Sequence, residues 1–251
     1  MIKDVLAEIL ENRYISGRLY RLVLRLPKED IKEIKPGHFA MIKPVDTYDP
    51  MGRRAFAFAD FEEDKAIFYY EVFGRGTALL TKRKPGERLP ILYPLGKRLF
   101  SYEGEKHLLL GGGVGLAGLT LLAKELRKLG KKVFIVYGAR SREHLGMLEW
   151  LEKEGFEYEV FTDDGSYGRK GFVTEILKEF SRDWVVHACG PKPMLKTIKR
   201  MNTGHKVYFS LEERMACGWG VCLGCVVKTA GGYMKRVCYE GPVMPMEEVV
   251  L

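Results

Sequence analysis

Four cysteines near the end of the chain have the spacing of an iron–sulfur site. Cys217, Cys222 and Cys225 follow the C-x4-C-x2-C order of plant-type [2Fe–2S] proteins, and Cys238 comes after twelve further residues. The glycines between them suit a backbone that wraps a cluster and points amide groups at its sulfurs. Four thiolates also make a zinc site, but zinc ribbons usually have two C-x2-C knuckles and this chain has one. The pattern therefore favours a [2Fe–2S] cluster over a structural zinc ion or free thiols.

Residues 107–129 have the pattern of a dinucleotide-binding strand, turn and helix. An apolar run, 107–110, leads into G-x-G-x-x-G at Gly113, Gly115 and Gly118, and leucines at helical intervals follow. Glycines allow the backbone to approach a pyrophosphate, and the N-terminus of the helix supplies amide donors. This segment predicts a site for a nicotinamide nucleotide.

Two further segments bear on that nucleotide. Cys189-Gly190-Pro191 follows a predicted strand at the edge where open α/β sheets bind ligands, so we expect Cys189 near the nicotinamide. The alternative is an ordinary buried cysteine. No ribose-binding acid follows the second strand, where Arg140 and Arg142 either face a 2′-phosphate or are solvated, so NADH and NADPH both stay open. The candidate NAD(P) contacts are Gly111, Gly112, Gly113, Gly115, Arg140, Cys189, Gly190 and Pro191.

The elements that must position these groups change along the chain. Residues 1–101 contain short aromatic or β-branched segments between Pro-Gly turns, which predicts a small antiparallel β-barrel. The predicted strands are 19–26, 39–43, 55–59 and 66–73. Residues 102–210 alternate strands with helices, which predicts a doubly wound parallel sheet, and residues 211–251 form a small cysteine module. The predicted fold class is multidomain, β plus α/β.

The composition excludes several classes of protein. No apolar run approaches the roughly 18 residues of a membrane span, and charges near the N-terminus argue against a signal peptide, so we expect a cytoplasmic protein. The net charge of +8 is spread along the chain without a basic tail, which argues against nucleic-acid binding. The chain has no glutamine and two asparagines amid abundant Lys and Glu, which is typical of a thermophilic source.

Residues 53–58 and 74–77 add an arginine pair and a glycine-rich turn, both suited to a pyrophosphate. With the motifs above, the chain resembles the ferredoxin–NADP reductase superfamily. Within it, the chain is similar to the electron-transfer subunits of two-subunit, NAD-linked dihydroorotate dehydrogenases. The resemblance covers the whole length and is most specific at residues 162–168, 188–194 and 210–218.

The resemblance implies FAD in the barrel and a [2Fe–2S] cluster on the four C-terminal cysteines. The implied FAD contacts are Arg54, Ala55, Phe56, Ala57, Tyr69, Tyr70, Glu71, Gly76 and Thr77. Ala55 and Ala57 replace the proline and serine of the family's Arg-Pro-x-Ser motif, so a hydroxyl near the flavin is lost. Glu71 stands where an arginine is common.

The resemblance also implies an activity and a partner. The chain would be an oxidoreductase subunit that passes electrons between NAD(P)H, FAD and the cluster, to or from a catalytic FMN subunit. That partner interconverts dihydroorotate and orotate in pyrimidine biosynthesis, and we expect a heterotetramer of two plus two subunits. One alternative is a flavin subunit of a hydrogenase, sulfide dehydrogenase or ferredoxin:NADP oxidoreductase. Another is a zinc-stabilised nucleotide sensor without redox activity.

Overall fold

A curled antiparallel sheet forms the N-terminal half-barrel. The structure is a computed structural model that describes residues 1–45 and 47–251. The half-barrel comprises β1 (Lys3–Ser16), β2 (Leu19–Arg25), β3 (Phe39–Ile42), β4 (Arg54–Ala57), β5 (Asp60–Glu62), β6 (Lys65–Glu71), β7 (Arg88–Leu95) and the helices α1 (Lys28–Ile31) and α2 (Arg75–Leu80). The strand order is β4-β3-β7-β1-β2-β6-β5. Phe58 closes the interior, because its ring contacts Phe68 of β6 at 4.8 Å and Tyr93 of β7 at 6.2 Å between centroids.

The second sheet contains the alternating strands and helices. Its elements are β8 (Lys106–Gly112), α3 (Thr120–Lys128), β9 (Lys132–Ala139), α4 (Leu148–Glu154), β10 (Glu157–Thr162), β11 (Arg169–Lys170), β12 (Trp184–Cys189), α5 (Lys192–Met201) and β13 (Val207–Ser210), with 3₁₀ turns at Gly113–Gly118, Arg142–His144 and Val173–Lys178. The parallel strands have the order β11-β10-β9-β8-β12-β13. Because β8 has β9 on one side and β12 on the other, a crevice opens at the carboxyl ends of β8 and β12.

The remaining residues form a loop of cysteines and a small antiparallel sheet. The elements are β14 (Val226–Thr229), β15 (Met234–Arg236), α6 (Val237–Glu240), β16 (Val243–Pro245), a 3₁₀ turn (Met246–Glu248) and β17 (Val249–Val250). The small sheet has the order β15-β14-β17, whereas strand β16 pairs antiparallel with β13 at the edge of the second sheet. The Arg98 guanidinium pairs with Glu248, and its backbone N–H donates to Gly241 O at 3.0 Å. The C-terminal part is therefore fastened both to the parallel sheet and to the chain that follows the half-barrel.

One hydrophobic core draws on all three parts of the molecule. It contains Met41 and Leu95 of the half-barrel, Phe209 of β13, and Cys225 and Cys238 of the C-terminal part. These residues are close-packed, so the three parts hold fixed positions relative to one another. Over the residues that the structure describes, no helix has the length and apolar character that crossing a bilayer requires.

Candidate functional site

The glycine turn after β8 lies directly against the end of β12. Gly111 pairs with Cys189 in the sheet register. A Cβ on Gly115 would stand 2.6 Å from the carbonyl carbon of Cys189, so only glycine allows the two segments to approach this closely. The structure thus brings together residues 111–115 and 189–191, which we call the nucleotide crevice. It lies at the switch point of the sheet, where ligands of such sheets bind.

Cys189 lies where the nucleotide crevice meets the predicted flavin strand, β4. Its side chain is 2% exposed, and a Cβ on Gly118 would stand 3.2 Å from Cys189 Sγ and 3.9 Å from Ala57 Cβ. The thiol also lies 3.9 Å from Glu212 Oε1. Burial, and then the Glu212 carboxylate, raises the pKa of Cys189 well above its ordinary value. This cysteine therefore stays a protonated thiol, which donates hydrogen bonds.

Glu212 is a site residue that the motifs did not identify. Desolvation raises the pKa of Glu212 and the Glu71 carboxylate raises it further, yet the side chain is exposed to solvent. A side chain that is surrounded by protein and still open to solvent lines a cleft, and this cleft is the one beside Cys189. The one sequence feature that could have identified Glu212 is its position just after β13, at the edge of the sheet where ligands bind.

Glu71, at the end of β6, connects the half-barrel to the glycine turn. Its carboxylate accepts the backbone N–H of Val114, and its Oε1 lies 3.5 Å from where a Cβ on Gly113 would stand. Desolvation raises the pKa of Glu71, while the Val114 amide and His144 oppose that shift. An acid of the predicted flavin site therefore holds one of the amides in the predicted nucleotide turn.

Strand β4 puts alternate residues on two faces. Phe56 packs in the core of the half-barrel with its ring 5.7 Å from that of Tyr70, which is itself buried. Ala55 instead packs against the core shared by all three parts, and Ala57 faces Gly118. On β6, Tyr69 packs against the parallel sheet, opposite to Tyr70. The side chains of Phe56 and Tyr70 are thus packed in the core of the half-barrel.

Arg54, Gly76 and Thr77 come together at the start of α2. A Cβ on Gly76 would overlap the guanidinium of Arg54, so the two lie in direct contact. Arg53, by contrast, donates to both carboxylate oxygens of Asp4 at 2.8 Å. The arginine pair therefore separates into a structural member and a member that faces a glycine-rich turn, as a pyrophosphate site requires.

Acids lie beside the arginines that follow β9. Arg140 is close enough to Asp163 to offset part of the desolvation that raises the pKa of that carboxyl. Asp164 accepts the backbone N–H of Ser166 at 2.9 Å, and Ser166 Oγ accepts the backbone N–H of Arg142 at 2.8 Å. Strand β10, which ends before Asp163, is the sheet neighbour of β9. The acids that are absent after the second strand are therefore supplied by the third.

The four predicted cluster ligands lie together as two neighbouring pairs. The backbone N–H of Cys222 donates to Cys217 Sγ at 3.5 Å, and that of Cys238 donates to Cys225 Sγ at 3.4 Å. We call residues 217–225 the thiol loop. In the described part of the chain, no three His, Cys, Asp or Glu side chains converge on one ion position. Two adjacent thiol pairs fit the donor set of a binuclear cluster, in which four thiolates bind two irons.

The backbone of the thiol loop favours a thiolate at Cys217. Burial alone would raise the pKa of Cys217, but the backbone N–H groups of Cys222 and Trp219 outweigh it and lower the pKa to about 6. Burial, and then Cys225, raises the pKa of Cys238 to about 12. The loop amides therefore favour the thiolate form of Cys217, and a bound metal ion would deprotonate its partners.

Comparisons with known proteins agree with this geometry. A sequence profile of the iron–sulfur cluster binding domain of dihydroorotate dehydrogenase B matches residues 212–250. A protein of Aquifex aeolicus (strain VF5), described as a dihydroorotate dehydrogenase B (NAD(+)), electron transfer subunit homolog, is 80% identical over 251 residues and 100% of both chains. The dihydroorotate dehydrogenase B (NAD(+)), electron transfer subunit of Geobacillus thermodenitrificans (strain NG80-2) is 38% identical over 97% of both chains.

Solved structures share the architecture. An NADH-dependent reduced ferredoxin–NADP oxidoreductase superposes with a TM-score of 0.86 at 29% identity, over 98% of this chain and 90% of that one. Phthalate dioxygenase reductase has a TM-score of 0.67 at 15% identity, over 98% and 77% of the two chains, and shows the fold alone. These likenesses confirm the predicted fold class: the predicted antiparallel barrel is a curled half-barrel, and the parallel sheet and C-terminal module are present as predicted. With the profile, they support FAD, a [2Fe–2S] cluster and a nicotinamide nucleotide as the groups that this fold holds.

Proposed function

The chain belongs to the family of dihydroorotate dehydrogenase B electron transfer subunits, and we propose that it carries electrons between NAD(H) and a catalytic FMN subunit. The overall reaction in pyrimidine biosynthesis would convert NADH, orotate and a proton into NAD⁺ and dihydroorotate, or run in reverse. When bound, FAD exchanges a hydride with the nicotinamide and the cluster passes the two electrons singly. The 80% and 38% identities favour this family over a hydrogenase or sulfide dehydrogenase subunit, and over a zinc-stabilised sensor.

One observation carries the proposal: one face of β4 reaches the nucleotide crevice at Ala57 and, at Ala55, lies beside the Met41 side chain that meets the thiol loop. Ala57 Cβ lies 3.9 Å from where a Cβ on Gly118 would stand, at the edge of the crevice. Ala55 pairs with Met41 of β3, whose side chain meets Gly218 of the thiol loop. A flavin along β4 would therefore be in reach of both.

We assign the nucleotide to residues 111–115 and 189–191, with its ribose towards Arg140. NADH is favoured over NADPH because Asp163 and Asp164 stand beside that arginine. Carboxylates accept hydrogen bonds from ribose hydroxyls and repel a 2′-phosphate. The relatives' names, which specify NAD(+), point the same way.

FAD is assigned to β4 and β6, with its pyrophosphate at Arg54, Gly76 and Thr77. The supporting feature is the contact between the guanidinium and the glycine-rich turn, which together offer a cation and backbone amides. The proposed domain division is 1–101 for FAD, 102–210 for the nucleotide and 211–251 for the cluster.

Cys189 and Glu212 are assigned to the place where the nicotinamide and flavin meet. Ala57 offers no hydroxyl there, but it shares the neighbourhood of Gly118 with the Cys189 thiol, and the Glu212 carboxyl lies 3.9 Å from that thiol. We propose that Glu212 holds a proton on its carboxyl oxygen beside the reacting rings. Burial of Cys189, and desolvation of the solvent-open Glu212 by the protein around it, raise both pKa values, which favours the neutral forms and supports this role.

The partner subunit is proposed to dock on the thiol loop. Trp219, Val221 and Leu223 in that loop are 52%, 71% and 60% exposed. Apolar side chains exposed beside a redox centre suit a protein contact through which electrons leave. A heterotetramer of two plus two subunits and a cytoplasmic location belong to the same proposal.

Anaerobic purification of the chain with whatever binds it tests the proposal. We expect flavin and iron in the preparation, reduction by NADH but weakly by NADPH, and reoxidation by orotate when the partner is present. One zinc ion per chain without flavin would contradict the relay. Reoxidation by ferredoxin but not by orotate would contradict the choice of partner.

A further inference from the structure

Gly218 is where the thiol loop touches the half-barrel. It directly follows Cys217 and has a φ of +82°. A Cβ there would overlap Met41 Cγ and stand 3.1 Å from Leu95 Cδ1. Glycine is therefore required twice, by the backbone angle and by the contact. The backbone next to the first predicted ligand thus rests directly on the Met41 side chain.

Met41 joins this contact to the flavin strand. It is 0% exposed and lies opposite Ala55 of β4 on one side and Leu92 of β7 on the other. Met41 shares a hydrophobic core with Cys225 and Cys238, and Ala55 packs against that core. One buried side chain therefore spans the space between β4 and the thiol loop.

We infer that the contact between Met41 and Gly218 is the positioning element that sets the spacing of flavin and cluster, and hence how fast electrons cross between them. The inference rests on the proposed function, which puts the flavin along β4 and the cluster on the thiol loop. In a relay the protein supplies distance and orientation, and a close-packed core holds both. Each crossing oxidises the flavin by one electron and reduces the cluster by one.

Gly232 provides a matched control for Gly218. Its φ is +83°, and a Cβ there would meet no described atom within 4 Å. Gly218→Ala and Gly232→Ala thus introduce similar backbone strain, but only the first presses on Met41. After NADH is mixed with the holoprotein, we expect cluster reduction to be about tenfold slower or more in Gly218→Ala and unchanged in Gly232→Ala. The preceding reduction of the flavin should keep its rate in both.

Two further measurements distinguish a changed distance between flavin and cluster from loss of the cluster itself. Iron and acid-labile sulfide per chain, and the midpoint potentials of flavin and cluster, should stay at wild-type values if only the spacing changes. Should Gly218→Ala lose its iron, Met41→Ala decides the question, because it removes the contact without straining the loop. Met41→Leu, which keeps the volume, should stay near the wild-type rate.

The possible results distinguish failure of the positioning role of Met41 and Gly218 from failure of the proposed electron relay. A Gly218→Ala or Met41→Ala holoprotein with full iron content and a wild-type rate of cluster reduction would overturn the positioning role and leave the relay standing. Equal slowing in Gly232→Ala would also overturn it. A wild-type chain whose cluster NADH does not reduce would instead overturn the proposed function.

Discussion

Cys189 lies near the Ala57 end of β4 and Cys217 lies in the thiol loop, and the surroundings of these two cysteines shift the thiol pKa in opposite directions. Around Cys189, burial and the Glu212 carboxylate raise the pKa, so the sulfur keeps its proton. Around Cys217, burial would raise the pKa, but backbone N–H groups outweigh it and lower the pKa to about 6. One residue type thus serves a nucleotide crevice in one place and a metal cluster in the other, because its environment sets its chemistry.

The cleft at Cys189 and the thiol loop also differ in their exposure to solvent. Cys189 is 2% exposed at the bottom of a cleft, whereas Leu223 of the thiol loop projects outward and is 60% exposed. A recess suits a small molecule, and a projecting apolar loop suits a protein surface. The asymmetry fits the proposed path through the molecule, from a nucleotide in the cleft to a partner on the thiol loop.

The largest expected effect comes from removing each of the two sulfurs. Cys217→Ser deletes the thiolate that the loop amides stabilise, so we expect most of the iron and the visible cluster absorption to be lost. Cys189→Ser should keep its iron, because that thiol is protonated and lies outside the thiol loop. Iron and sulfide assays on anaerobically purified protein measure both. Equal loss from the two variants would contradict the division of roles.

The next effect concerns the carboxyl beside Cys189. If Glu212 holds a proton for the reacting rings, Glu212→Gln should slow flavin reduction by NADH about 100-fold, measured by stopped flow. Glu213→Gln is the matched control, because Glu213 pairs with Lys192.

Stability separates this role from a structural one. The raised pKa of Glu212 means that ionising it costs stability as pH rises above the ordinary pKa of a carboxyl, so the amide should not lower the melting temperature near pH 7. Slowing of both variants alike, or a lower melting temperature in Glu212→Gln, would point to a structural role.

A smaller effect is expected from the exposed apolar residues of the thiol loop. Trp219→Ser combined with Leu223→Ser removes exposed apolar contacts, and should weaken binding of the catalytic partner about 30-fold in a titration. Tyr233→Ser is the control, because Tyr233 is 76% exposed on the turn between β14 and β15 of the same module. Unchanged affinity in the double variant would place the docking surface elsewhere.

The smallest expected effect concerns His187, which lies two residues before Cys189 on β12 and is also buried. His107 Nε2 lies 3.3 Å from Gly104 O, so it donates there, and His187 Nε2 donates to His107 Nδ1 at 3.0 Å. Burial, and then His107, lowers the pKa of His187 to about 3. Because the unfolded chain takes a proton near pH 6.5, folding stability should be lost progressively as pH falls from about 6.5 towards 3.

His187→Gln removes this titration and keeps an N–H donor towards His107. We expect the drop in melting temperature between about pH 7 and pH 5 to be smaller in His187→Gln than in wild type, measured by circular dichroism. His144→Gln, on the loop after β9, should keep the wild-type drop. An unchanged drop in His187→Gln would exclude the buried histidine as its source.

The site residues that motifs identified share local signals, whereas the missed ones depend on long-range pairing. The four C-terminal cysteines and the glycine turn can be identified from the sequence, because each kind of site requires a characteristic short spacing of these residues. Glu212 and Asp163 gain their places only because β13 and β10 lie beside other strands in the sheet. No local pattern shows which strand ends are neighbours.

The fold divides in the same way. The patterns predict β2, β3, β4 and β6, but not β1, Lys3–Ser16, whose exposed residues mix charged and apolar types and whose register with β2 shifts at two points. The return of β16 to pair with β13 joins residues 208–210 to 243–245 across the cysteine module, and that contact has no local signal. Strand alternation likewise decides that Tyr70 faces the half-barrel core while Tyr69 faces the parallel sheet.

The central claim is that β4 links a nucleotide crevice to a cluster. Anaerobic mixing of the purified holoprotein with NADH, followed at the flavin and cluster absorption bands, tests it most directly. We predict about two irons per chain, bleaching of the flavin band first, and bleaching of the cluster band afterwards in the same chain. Flavin bleaching that leaves an intact cluster oxidised, or a cluster that bleaches without flavin, would contradict the account.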